Sequence, residues 1–229
     1  MEEVPYAKVE FAQLIGCYDE LEIRSHFEYE RIILKFTDRG DCPMDTYEAI
    51  RARRNVHKFK KQEVPQGKLK KILEAGLQAS SAMNQQPWEF IVVTDLDLIK
   101  KLAKYKYDHN MQGFIASKVP RGEAEQMAGA QRDAFTNSVA VALICSKDKR
   151  LPIESSWCCI TTIWLAACAE GLGMSPAYFA LPAQGPLKEM LGVPDGYDIA
   201  AILRLGVPDL IPEAKPRKSL DECLHYNRF

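Results

Sequence analysis

The spacing of apolar and polar residues predicts helices that alternate with short strands. Over residues 66–79, apolar side chains recur every three or four positions, as on the buried face of an amphipathic helix. A second helical pattern follows Thr94 or Asp95, either of which can cap it. A third covers residues 155–170 and ends at Gly171. Apolar β-rich runs predict three strands, at residues 89–94, 138–145 and 198–206.

Residues typical of helix ends predict two further short helices. Asp45 and Glu48 have the spacing of a capping box, for a helix that ends near Ala52. Pro186 and Gly192 bracket the other. We interpret residues 104–131, which are polar and contain scattered glycines, as mobile and partly helical. This element order favours an α+β fold in which helices pack around a small, mostly antiparallel central sheet.

Composition narrows the class of protein. The chain has 229 residues, a net charge of -1 and 47% hydrophobic residues, which fits a globular domain without the basic excess of many nucleic-acid-binding proteins. Its longest apolar stretches, residues 139–145 and 160–169, are too short to cross a bilayer, and its start does not resemble a secretion signal. We therefore expect a cytoplasmic protein with neither nucleic-acid nor membrane partners.

A polar, turn-rich stretch at residues 38–43 marks a domain boundary. We expect a main domain at 44–229 and an N-terminal extension at 1–43, either an arm across a dimer or sequence upstream of the true start at Met44. The seven cysteines include no C-x-x-C pair and no histidine at a ligand spacing, so we expect reduced cysteines and no metal site.

No glycine-rich dinucleotide motif is present. Gly171-Leu172-Gly173 follows a predicted helix, whereas a Rossmann turn follows a strand. If the chain binds a nucleotide, it does so in another way.

Two other features are candidates for chemistry. Basic residues cluster at 51–61 and again at 215–218; they form either a solvated face or two halves of a phosphate site. The segment Ala79–Trp88 is rich in small and amide side chains. It is either an ordinary helix-to-strand turn or a loop that offers amides to a polar heteroaromatic ring.

In these features the chain resembles the nitroreductase family. The resemblance rests on Arg53-Arg54-Asn55-Val56-His57-Lys58-Phe59, the loop that ends in Asn84-Gln85-Gln86-Pro87-Trp88, Gly171-Leu172-Gly173, and Lys215-Pro216-Arg217. These motifs follow the family's order and approximate spacing from about Met44 to the C-terminus.

The resemblance implies a homodimer with FMN at two shared interface sites. NADH or NADPH would donate a hydride, which the flavin would pass in a ping-pong cycle to a nitroaromatic, quinone or enone. Because the flavin performs the chemistry, no side chain is expected to be catalytic. The implied cofactor-binding residues are Arg53, Arg54 and Asn55 with Lys215 and Arg217 for the phosphate and ribityl groups, Ser80, Ser81, Ala82 and Asn84 from the partner subunit, and the backbone of Ala177, Tyr178 and Phe179 near the reactive edge.

Three positions depart from the family pattern. Asn55 stands where serine is usual, Ser80 where proline is usual, and His57 where arginine or lysine is usual. A protonated His57 would stabilise reduced flavin, whereas a histidine that merely fills a turn would not. The fold also supports flavin-fragmenting synthases, reductive dehalogenases and a non-catalytic flavin-binding protein, and these remain alternatives.

Overall fold

The computed structural model describes residues 44–229, and the expected N-terminal extension, residues 1–43, lies outside them. The helices within this range are α1 (Thr46–Ala52), α2 (Gln66–Gly76), α3 (Leu96–Ala116), α4 (Arg121–Thr136), α5 (Pro152–Ala169) and α6 (Gly185–Leu191). The strands are β1 (Lys58–Phe59), β2 (Trp88–Val93), β3 (Val139–Ser146), β4 (Gly173–Ala177), β5 (Tyr197–Gly206) and β6 (Pro208–Leu210).

The main sheet has four strands in the order β2-β3-β5-β4, and every pairing in it is antiparallel. Strands β1 and β6 form a separate antiparallel pair. The two central strands are buried on both faces over Ala140–Ile144 and Ile199–Gly206, which explains why their sequences are continuous apolar runs. The predicted α+β class with an antiparallel sheet is confirmed.

Helices cover both faces of this sheet. On one face, Ile72 of α2 and Ile163 of α5 pack with Leu203 of β5. On the other face, Leu102 of α3 and Leu187 of α6 pack in a second apolar cluster, which includes Ile202. Side chains of β5 therefore face the two helical layers in turn, and Arg204, two residues after Ile202, faces the same layer as Ile202.

The predicted helix ends are largely correct. Asp45 Oδ1 accepts a hydrogen bond from the Glu48 amide at 2.9 Å, and Glu48 Oε2 accepts one from the Asp45 amide at 3.2 Å. Asp95 caps α3 through the Leu98 amide at 2.7 Å. Gly171 and Gly192 follow their helices with φ of 73° and 65°, a left-handed conformation that glycine adopts without strain.

The interpretation of residues 104–131 was wrong in degree. They are helical except for Ser117–Pro120, because α3 and α4 pack against each other and bury small side chains. Ala124 and Ala128, four residues apart, are completely buried, and such small side chains allow close helix packing.

Candidate functional site

The segment Arg53–His57 lies along strand β4. Asn55 forms a parallel bridge with Met174, and the Val56 amide donates to the Met174 carbonyl at 3.1 Å. A Cβ atom on Gly173 would lie only 2.8 Å from Val56 Cγ1. The last glycine of the Gly-Leu-Gly motif therefore allows the close approach that positions this segment.

Arg53, Arg54 and Arg217 form a cationic cluster beside α5. The Arg53 guanidinium lies 4.3 Å from the centroid of the Trp164 ring, and Trp164 Nε1 donates to the Arg54 carbonyl at 3.1 Å. Burial, followed by the neighbouring charges of Arg217 and Arg54, lowers the pKa of Arg53. The structure thus brings Arg217 of the late basic stretch close to Arg53 of the early one, although Arg217, like Lys215, is exposed.

The polar groups of this cluster fit a bound anion. Arg54 Nε is buried and has no hydrogen-bond partner among residues 44–229. Within the same range, no carboxylate forms a salt bridge with Arg53, Arg54 or Arg217. Guanidinium groups present several donors in a fixed plane, which suits the oxygens of a phosphate.

The loop before β2 has an unusual backbone. Met83, Asn84 and Gln86 have φ values of 53°, 54° and 44°, and the loop contains a 3₁₀ turn at Ala82–Asn84. Ser81 Oγ accepts from the Gln86 amide at 3.0 Å. Ser80 and Asn84 are exposed, while Ser81 and Ala82 are half-buried, so the loop presents polar groups outward.

This loop and the arginine cluster contact different parts of α5. The Ala82 amide donates to Ser155 Oγ at 3.2 Å, near the start of the helix. Arg53 packs on Trp164, nine residues later, which corresponds to about 14 Å along a helix axis. One subunit therefore holds the two predicted halves of the cofactor site at separate places.

The segment Ala177–Phe179 consists of the last residue of β4 and the two residues that follow it. Ala177 and Phe179 are buried, whereas Tyr178 is 56% exposed. The Phe179 ring packs in the core against Tyr105 and His109, with centroid distances of 5.9 and 5.6 Å. A ligand here can thus contact the Tyr178 side chain and the backbone, but not the Phe179 ring, which is packed in the core.

Sequence reasoning missed a pair of buried cations, one of which lies beside His57. Arg204 is 1% exposed and Lys106 is 9% exposed. Burial lowers the pKa of Arg204 to about 10, and burial together with Arg204 lowers the pKa of Lys106 to about 8. The pKa of His57 is also lowered, first by burial and then by Arg204. The only sequence signal was Arg204 itself, the single cation within the apolar run 198–206.

Residues 44–229 contain neither a metal-ligand cluster nor a membrane-spanning helix. No group of three or more histidine, cysteine, aspartate or glutamate residues is arranged to hold a metal ion. No helix in this range is long and apolar enough to cross a membrane.

Known proteins provide three useful comparisons. Iodotyrosine deiodinase of Thermotoga neapolitana is 26% identical over 190 residues, 80% of this chain and 98% of the relative. The NADPH-flavin oxidoreductase of Vibrio harveyi is 25% identical over 191 residues, 81% and 75% of the two chains. The solved FMN-dependent nitroreductase of Clostridium difficile R20291 superposes with a TM-score of 0.62 at 27% identity, covering 79% of this chain and 98% of that one.

The family model described as "Nitroreductase family" matches residues 50–207. This range includes the Arg53–His57 segment, the loop before β2 and the whole antiparallel sheet. Since the match spans more than half of the sequence, the chain belongs to the nitroreductase family.

Proposed function

We propose that the protein is an FMN-dependent oxidoreductase that uses NADH or NADPH to reduce a small organic acceptor. The observation that carries the proposal is the cluster of Arg53, Arg54 and Arg217, in which the buried Arg54 Nε has no hydrogen-bond partner among the described residues. Its like charges would repel one another without an anion, and the FMN phosphate is the anion that the family context favours.

The remaining residues of the segment would hold the rest of the cofactor. Asn55 would hydrogen-bond the ribityl chain, and His57 would face the isoalloxazine ring. The end of β4 and the backbone of Tyr178 would border its reactive edge. When bound, FMN would accept a hydride from the nicotinamide and pass it to the acceptor, while the protein supplies binding, orientation and electrostatics.

A second copy of the chain would complete each site. The loop before β2 contacts α5 at Ser155, whereas the arginine cluster contacts it at Trp164. The loop would therefore contact the partner's flavin, through Ser80, Ser81, Ala82 and Asn84. Between Ser155 and Ala169, helix α5 has no charged side chain, although Cys158 and Thr161 on its outer side are exposed. A helix without a polar face is usually buried, here against the partner.

The acceptor distinguishes two enzymatic functions. Reduction of nitroaromatics or quinones is the first candidate, supported by the Clostridium difficile nitroreductase. Reductive dehalogenation is the second, because the alignment with iodotyrosine deiodinase extends over nearly all of that relative.

Half-reaction kinetics under anaerobic conditions test both candidates. The FMN-loaded protein would first be reduced with NADH or NADPH and then mixed with a nitroaromatic, a quinone or a halogenated tyrosine. We expect rapid reoxidation by one of the first two, with free flavin as the control. Reoxidation by the halogenated tyrosine alone, with release of halide, would instead establish the second function. If neither NADH nor NADPH reduced the bound flavin, the proposed hydride donor would be contradicted.

A further inference from the structure

The charge of Arg204 is held in place by neutral groups. Its Nη1 donates to Gln131 Oε1 at 2.7 Å, its Nε donates to the Ser175 carbonyl at 3.4 Å, and its guanidinium lies 5.2 Å from the centroid of the Phe135 ring. Among residues 44–229, no carboxylate forms a salt bridge with it. A buried cation without a counter-ion is unfavourable, and its presence in the sheet therefore needs a reason.

The guanidinium also favours one tautomer of His57. Nη2 of Arg204 lies 3.5 Å from His57 Nδ1, at the outer limit of a hydrogen bond. Because arginine has only donors, a hydrogen bond between these two atoms requires an unprotonated Nδ1 as the acceptor. A neutral imidazole then carries its proton on Nε2, where the N–H can donate to another group.

The groups around His57 on other elements favour the same state. Arg204 of β5 faces it directly, and Gln131 of α4, which binds Arg204, is neutral. Lys106 of α3 is a second cation close enough to Arg204 for the guanidinium to lower the pKa of Lys106. Protonation of His57 would add another charge to this buried group. The region thus keeps a positive field while the imidazole stays neutral.

We propose that Arg204 is a positioning residue that holds His57 as the neutral Nε2–H tautomer and supplies the permanent positive charge for the flavin ring. The inference rests on the proposed function, because it requires FMN beside His57. His57 would act as a hydrogen-bond donor of fixed orientation. The charge that the family usually places at this position would come from Arg204 behind it.

This assignment changes the pH behaviour expected of a protonated histidine. An imidazolium would stabilise reduced flavin only below its own pKa, and the effect would be lost as the pH rises. A guanidinium remains charged at neutral and moderately alkaline pH. The contribution of this pair to the flavin potential should therefore be constant across neutral pH.

The experiment compares a substitution that deletes the charge of Arg204 with one that offsets it. Arg204→Gln deletes it, whereas Gln131→Glu keeps the acceptor of the 2.7 Å hydrogen bond and places a carboxylate against the guanidinium. The matched control is Gln126→Glu, the same substitution at an exposed position of the same helix. Each holoprotein would be measured by ¹⁵N NMR of labelled histidine and by potentiometric titration of the bound FMN, with His57→Gln used to assign the His57 signals.

In the wild type we expect the Nε2–H tautomer and no titration of His57 near its ordinary pKa. Gln131→Glu and Arg204→Gln should each raise the pKa of His57. Each should also lower the preference for reduced over oxidised FMN about tenfold, equivalent to about 30 mV for a two-electron couple. Gln126→Glu should leave both quantities at their wild-type values.

An Nδ1–H tautomer in the wild type would overturn the inference. The inference would also be overturned if FMN-bound Gln131→Glu protein had an unchanged flavin potential and an unchanged pKa of His57. Because this variant is nearly isosteric, it tests the inference even if Arg204→Gln does not fold. A wild-type protein that binds no FMN would instead refute the proposed function, and this inference with it. The two failures are therefore distinguishable.

Discussion

Gly173→Ala should disturb the contact that positions the Arg53–His57 segment. The added Cβ would lie 2.8, 2.9 and 3.0 Å from three side-chain carbons of Val56, and Val56 is itself buried. Since the segment is attached to β4 at this point, it must shift or β4 must bend. Overpacking of this kind destabilises a protein by roughly 1–3 kcal/mol, which in a chain of this size corresponds to a fall in Tm of about 2–12 °C.

Thermal denaturation and FMN titration of the same protein measure this effect. Affinity for FMN should fall together with Tm, because Arg53 and Asn55 move with Val56. Gly113→Ala is the control: the site lies inside α3, a Cβ there meets no atom within 4 Å, and helix propensity should stabilise it by about 0.5–1 kcal/mol. If Gly173→Ala matched Gly113→Ala in both measurements, the contact would not position the site.

Three further predictions concern charge and assembly. Arg217→Ala should weaken FMN binding about ten- to a hundredfold but riboflavin binding little, and equal losses measured by fluorescence titration would exclude a phosphate contact. Lys106→Met should raise Tm at neutral pH. In the wild type, the free energy of unfolding should rise between pH about 8 and 10.5, because Lys106 loses its proton in the folded state but keeps it in the unfolded state. Lys106→Met should remove this rise, and an unchanged pH profile would contradict the prediction. Thr161→Arg, on the outer side of α5, should produce monomers that release FMN, and a dimer in sedimentation would refute that interface.

Local sequence signals were sufficient for the central strands and for the helices outside residues 104–131. The capping box at Asp45, the glycine after α5 and the apolar runs of β3 and β5 act over a few residues, so each is visible in the sequence. Strand β4 was not predicted as a strand, because Gly173 and Pro176 disfavour one. It forms through pairing with β5, about thirty residues later in the chain.

The site was predictable only where its residues form a motif. The arginine pair and its late partner Arg217 were proposed from the resemblance, and the structure places Arg217 beside Arg53. Arg204 and Lys106 belong to no motif, and one lies within an apolar strand while the other lies in a polar helix. The proximity of Lys106 to Arg204, and of Arg204 to His57, depends on how the elements pack together, which spacing along the chain does not encode.

Anaerobic reductive titration of the purified protein tests directly whether it is an FMN enzyme that NADH or NADPH reduces. We expect the protein to bind one FMN per chain and its flavin absorption to bleach on stoichiometric addition of NADH or NADPH. The absorption should return when a nitroaromatic or quinone is added. A protein that binds no FMN after incubation with an excess of it, or whose bound FMN neither nicotinamide reduces, would contradict the proposed function.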